Sequence, residues 1–224
     1  MPNVSLHLLF LAVAGSYAGG VARLWARSLL GGRPMGWGLS SRLLLACAWS
    51  AVGWRYGITL QAAELCMLCL VLLTVTLTDM AERVIPDECL LAALGARGFY
   101  LILSSVNTAE SLPSLVLGSL VGGACAFVPL LAMALVTDWL TGTRSLGGGD
   151  LKLLTVVGCY VGSTRLPLVL LAACLLALIW AVLPVLRHGP VRRTFAFGPS
   201  IALAVLVVLV AVPHVEGWLA SMAI

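Results

Sequence analysis

Long runs free of Asp, Glu, Lys and Arg set the pattern of this chain. They cover residues 1–22, 43–54, 65–78, 98–109, 111–137, 153–164, 166–186 and 194–215. Several are too short to cross a bilayer alone, yet they extend through single charges such as Arg55, Glu64 and Arg97. The pattern predicts eight helices, over about 4–22, 40–56, 59–78, 88–105, 112–136, 150–163, 165–186 and 199–216, the sixth of them short. The expected fold class is all-α, a polytopic integral membrane protein.

Composition sharpens this reading. Hydrophobic residues make up 61% of the 224 positions and charged residues 10%, with a mean hydropathy of +1.09. Soluble domains sit near ~45–50% apolar and ~25% charged, so a soluble globular domain is excluded, and so is disorder. Eight spans of about 20 residues would use roughly 160, leaving on the order of 60 for all loops and both tails. That leaves no room for a separate soluble domain. Residues 1–22 do not read as a cleavable signal peptide, because Arg23 and Arg27 follow the apolar run instead of preceding it.

Charge gives the orientation. With the N-terminus outside, the inner segments hold Arg23, Arg27, Arg33, Arg42, Arg83, Arg144, Lys152, Arg187, Arg192 and Arg193, against Arg55 and Arg165 outside. Ten against two is a positive-inside bias. The net charge of +4 follows from that topology and implies no nucleic-acid partner. Cys66-Met-Leu-Cys69 lies inside an apolar run and reads as helix core. His7, His188 and His214 are scattered, so neither a metal site nor a cofactor is expected. Arg97 falls near mid-membrane and calls for a carboxylate or carbonyl partner, with Glu64 a candidate; Asp138 reads as a helix-end charge.

Two carboxylates at membrane ends stand out, because acids there are costly. Asp79 closes the third apolar run, ahead of Glu82-Arg-Val-Ile85-Pro86-Asp87-Glu88. Asp150 follows Gly147-Gly148-Gly149 and opens Leu151-Lys152-Leu-Leu. Both fall at the inner boundary, so residues 71 positions apart in sequence can meet at one depth. Two close carboxylates share a proton: the ionised one takes a proton from water and the protonated one polarises a peptide carbonyl. The three glycines remove side chains and permit φ > 0, letting the backbone approach an extended substrate. Spacing alone equally allows a flexible turn flanked by capping charges. An ion-coupled transporter is the alternative class, but its acids belong near the midplane between repeats.

Asp79 with Ile85-Pro86-Asp87, Gly147-Gly148-Gly149-Asp150-Leu-Lys152, and Phe197-Gly198-Pro199 together resemble the bacterial type IV prepilin leader peptidases, over about residues 60–215. Presenilin-like proteases share Gly-x-Gly-Asp, but carry Tyr-Asp and Pro-Ala-Leu where this chain has Thr78-Asp79 and Phe197-Gly198-Pro199. The resemblance implies an intramembrane aspartic endopeptidase in the bacterial cytoplasmic (inner) membrane, active on its cytoplasmic side. Its substrates would be type IV prepilins or type II secretion pseudopilins, each with a basic leader ahead of an apolar helix. Asp79 and Asp150 match the family's catalytic pair. Gly147, Gly148, Gly149 and Lys152 match its active-site loop, while Pro86, Phe197, Gly198 and Pro199 match its structural motifs.

Residues 1–58 are then an N-terminal two-helix region and 59–224 a six-helix peptidase core. Larger members carry two Cys-x-x-Cys pairs in the first cytoplasmic loop and also methylate the new N-terminus. Here that loop, expected over 23–41, has no cysteine, which puts methylation in doubt. Glu82, Asp87 and Glu88 are expected to form an acidic lip for the leader, with helix capping the competing role.

Overall fold

The computed structural model describes residues 2–33, 36–108, 110–143, 146–188 and 196–222, with backbone only for 2–5, 183–188 and 213–222. Arg144, Arg192 and Arg193 lie outside these residues, as do the side chains of Arg187, His188 and His214. The chain is all-α among the described residues: α1 Pro2–Leu29, α2 Gly38–Tyr56, α3 Leu60–Glu82, α4 Asp87–Asn107, α5 Leu112–Thr141, α6 Gly148–His188 and α7 Gly198–Met222. Five described helical stretches are long and apolar enough to cross a membrane: Leu6–Leu29, Leu60–Glu82, Asp87–Asn107, Leu112–Thr141 and Gly148–Val182. This is a multi-pass membrane protein. By that criterion α2 does not count as a span, and the apolar Gly198–Val212 part of α7 is shorter.

The boundaries depart from the sequence pattern in instructive ways. α1 continues to Leu29 through Arg23 and Arg27, so the loop expected over 23–41 shrinks to 30–37. Arginine is a good helix former whose long stem can carry its charge to the interface, so a basic residue does not end a helix. α3 likewise runs past Asp79 to Glu82. It stops where Arg83 takes a left-handed φ of 57° and donates its N–H to the Asp79 carbonyl at 2.9 Å. Pro86 then disfavours helix at the residue before it. The runs 150–163 and 165–186, expected as separate helices, are two helices that meet at a break at Gly162 (φ 74°, ψ 172°) and share the label α6. That φ favours glycine, which the chain supplies there.

The chain divides into two compact units. The first comprises Met1–Arg83 with Leu168–Ile224, the second Val84–Pro167. In the first, α3 packs against α1, α2 and α7. It is the most enclosed span: 67% of its apolar window is buried, against 17–22% for the other four. Trp49 Nε1 donates to the Cys66 carbonyl at 2.9 Å, and Tyr56 Oη to the Leu209 carbonyl at 2.9 Å. Cys66 and Cys69 are both buried on α3, as helix core.

In the second unit α5 and the first part of α6 approach closely at Gly122 and Gly158. Buried polar groups there are paired, as an apolar setting demands. Ser119 Oγ donates to the Cys159 carbonyl at 2.9 Å, and Tyr160 Oη to the Ala93 carbonyl at 2.7 Å. Arg97 Nε donates to Ser119 Oγ at 3.3 Å, and its guanidinium lies 5.5 Å and 5.4 Å from the Tyr100 and Tyr160 ring centroids. Within this unit the mid-membrane cation is therefore met by a hydroxyl and two ring faces. Glu64 is buried on α3.

Candidate active site

Asp79 sits in the last turn of α3, with only 6% of its surface exposed. Its Oδ2 accepts the backbone N–H of Gly198 at 2.8 Å. A Cβ on residue 198 would lie 2.8 Å from that oxygen and 3.2 Å from the Asp79 Cβ. The Phe197-Gly198-Pro199 element thus packs directly on Asp79, and its glycine is what admits the carboxylate. One turn on, Glu82 Oε1 accepts a hydrogen bond from Arg33, from the loop after α1.

The second unit carries the other motif residues. Asp150 is half-buried in the first turn of α6. Its carboxylate folds back so that Oδ2 lies 2.8 Å from where a Cβ of residue 147 would be. A Cβ on Gly149 would meet Ile85 Cβ at 3.1 Å, while Gly148 has open space on that side. None of the three uses the positive φ that glycine permits; the described glycines that do are Gly31, Gly32, Gly57, Gly142 and Gly162. Here glycine serves for room: one position for the Asp150 carboxylate, one for Ile85.

Lys152 Nζ bonds both carboxylate oxygens of Asp87, at 2.8 and 2.9 Å. Lys152 thus ties α6 to the start of α4, where Pro86 precedes Asp87 and Glu88 in the first turn. The Ile85-Pro86-Asp87 segment therefore clasps the Gly147-to-Lys152 segment at two points, through Ile85 on Gly149 and Asp87 on Lys152. Glu88 is exposed. Of the expected lip, Glu82 and Asp87 are each engaged by a cation, and they belong to different units.

The family description of type IV leader peptidases matches residues 66–182, more than half of the chain and a stretch holding both Asp79 and Asp150. The chain belongs to the type IV leader peptidase family. Among relatives of this leader peptidase family member, a Pseudomonas putida prepilin leader peptidase/N-methyltransferase is 32% identical over 154 residues, covering 68% of this chain and 51% of the relative. Proteins of the same description from Bacillus subtilis and Aeromonas hydrophila are 28% and 29% identical, covering 73% and 80% of this chain and 61% and 58% of their own lengths. The chain spans about half the length of the first such relatives, 51% and 53%. No solved structure matches it.

Proposed function

We propose that this leader peptidase family member is an intramembrane aspartic endopeptidase of the bacterial inner membrane. It removes the short basic leader from type IV prepilins or type II secretion pseudopilins at the cytoplasmic face. The observation that carries the reading is a carboxylate at each of two membrane-helix ends, Asp79 closing α3 and Asp150 opening α6, within the stretch the family description matches. Residues 59–224 form the catalytic core and 1–58 the N-terminal region.

In the proposed reaction Asp79 and Asp150 share one proton, since like charges at close range cannot both ionise. The ionised carboxylate takes a proton from water, and the water oxygen bonds to the scissile carbonyl carbon. The protonated carboxyl gives its proton to the carbonyl oxygen. As the tetrahedral intermediate collapses, the carboxyl that took the proton from water gives it to the amine nitrogen, the C–N bond breaks, and the other carboxylate recovers a proton from the hydroxyl that becomes the new carboxyl group's carbonyl oxygen. The peptide must be unwound to be attacked, and the open backbone around Gly148 offers a strip along which an extended segment can lie. Incubating the detergent-solubilised protein with candidate prepilins, and reading the new N-termini by mass spectrometry, tests this. No cut between a basic leader and an apolar helix in any of them would overturn the reading.

Two further outcomes are expected. The relatives are described as methyltransferases as well, but the short α1–α2 loop has no cysteine pairs. Labelled methyl groups from S-adenosylmethionine should therefore not appear on the mature pilin N-terminus; their appearance would refute this. The second concerns the leader. Glu82, Asp87 and Glu88 lie next to Asp79 in sequence and supply negative charge for its lysines and arginines. Neutralising all three also releases Arg33 and Lys152, which adds repulsion in the same direction. Exposed pairs contribute ~0.2–1 kcal/mol each, so KM should rise several-fold and salt sensitivity fall, with kcat little changed. A triple variant with unaltered KM and salt response would leave these acids with capping and ion-pair roles only.

A further inference from the structure

The first turn of α7 is the element in direct contact with Asp79, and no step of the proposed chemistry yet uses it. Three observations converge there. Gly198 N–H donates to Asp79 Oδ2 at 2.8 Å, across 119 positions of sequence. Any side chain at 198 would begin 2.8 Å from Oδ2, 3.2 Å from Cβ and 3.3 Å from Cγ of Asp79. The neighbouring amides are already committed: Pro199 has no N–H, while Ser200 and Ile201 donate to the Phe197 carbonyl at 3.0 and 3.1 Å. Gly198 is thus the one residue of this turn whose N–H points at the aspartate. The backbone charge distribution of a helix start also favours a carboxylate there.

We propose that Gly198 is a positioning residue for Asp79. Its amide pins Oδ2, which fixes the carboxylate plane and turns Oδ1 toward the reacting water. Among the described residues Oδ1 makes no hydrogen bond, so the two oxygens are distinguished by Gly198 alone. The absent Cβ matters as much as the N–H. An alanine would retain the donor but drive its methyl group into the carboxylate. Helix α3 holds the Asp79 backbone, so the side chain is what yields, and Oδ1 is turned away. A reacting oxygen misplaced by even about 1 Å can cost ~10²-fold in rate. With the leader placed by the proposed acidic lip and not by Gly198, KM is expected to change little.

This inference rests on the aspartic mechanism proposed above, and two measurements separate them. In the cleavage assay, Gly198→Ala should lower kcat by 10- to 100-fold with KM within two- to three-fold of the parent, while Asp79→Asn should be inactive. An active Asp79→Asn would remove the aspartic reading. An inactive Asp79→Asn beside a Gly198→Ala of parental kcat, or one in which only KM changed, would overturn the positioning role alone. The second measurement needs neither activity nor a folded Gly198→Ala variant. Hydrogen exchange read by mass spectrometry on the peptide containing Phe197 to Ile201 should show the Gly198 amide protected in the parent. That protection should be lost in Asp79→Ala, with the Ser200 and Ile201 amides unchanged. Equal protection of Gly198 in both would overturn the proposal.

Discussion

Asp79→Asn and Asp150→Asn should each abolish leader cleavage while leaving the chain inserted in the membrane. General acid–base catalysis by a positioned group contributes ~10²–10⁴-fold, and each substitution removes one of the two groups. Asparagine is the informative replacement because it is nearly isosteric. At position 79 its amide oxygen can still accept the Gly198 N–H, so the buried bond at 2.8 Å survives and the fold is not the reason for lost activity. At position 150 the amide fits the same space against Gly147. Groups that act as one unit are strongly non-additive, so the double variant should be no slower than either single one. Membrane extraction and cleavage should be measured on the same preparations. More than a few per cent of activity in either single variant would end the assignment of that aspartate.

The largest effect on stability should come from Gly158→Val, far from the aspartates. A Cβ there would sit 2.5 Å from the Gly122 carbonyl oxygen and 3.1 Å from Ala126 Cβ. The reciprocal contact is as close, with a Cβ on Gly122 falling 2.3 Å from the Gly158 carbonyl oxygen. The two carbonyl oxygens are backbone atoms and alanine has no rotamer to change, so nothing here moves aside. The two helices must separate, and in lipid no hydrophobic force draws them back, because the tails are as apolar as the side chains. Overpacking costs about 1–3 kcal/mol, occasionally more. Separation also loosens the Ser119-to-Cys159 hydrogen bond, worth about 1 kcal/mol. A melting temperature lower by on the order of 10 °C is expected in detergent. Gly158→Ala should fall between valine and the parent. An unchanged melting temperature for the valine variant would mean that α5 and α6 do not pack at this point.

Asp79 and Asp150 stand out as candidates in the sequence alone. A carboxylate that bounds an apolar run is conspicuous because the run itself carries no charge, as in residues 65–78 before Asp79 and 153–164 after Asp150, and both aspartates lie beside turn-forming residues. Family motifs then brought Phe197, Gly198 and Pro199 into the account. What they touch was not legible. Gly198 contributes a backbone N–H, which every residue but proline has, so nothing in its identity announces a partner 119 positions away. The Lys152–Asp87 pair spans 65 positions, and at the sequence level Lys152 has several carboxylates it could meet.

The sequence by itself determined the membrane class and where the apolar runs lie. Those follow from transfer of apolar and charged groups between water and hydrocarbon, a property of local composition. Tertiary structure alone decided that α3 is the enclosed helix, with 67% of its apolar window buried, while equally apolar spans such as α5 stay largely uncovered. In a bilayer both surroundings are apolar, so hydropathy cannot tell a protein-facing side from a lipid-facing one. It also decided which glycines make room and which bend the chain: Gly149 and Gly198 admit a neighbour, and Gly162 breaks α6. Glycine supplies both a small side chain and a free φ, and only the packed neighbours determine which of the two is used.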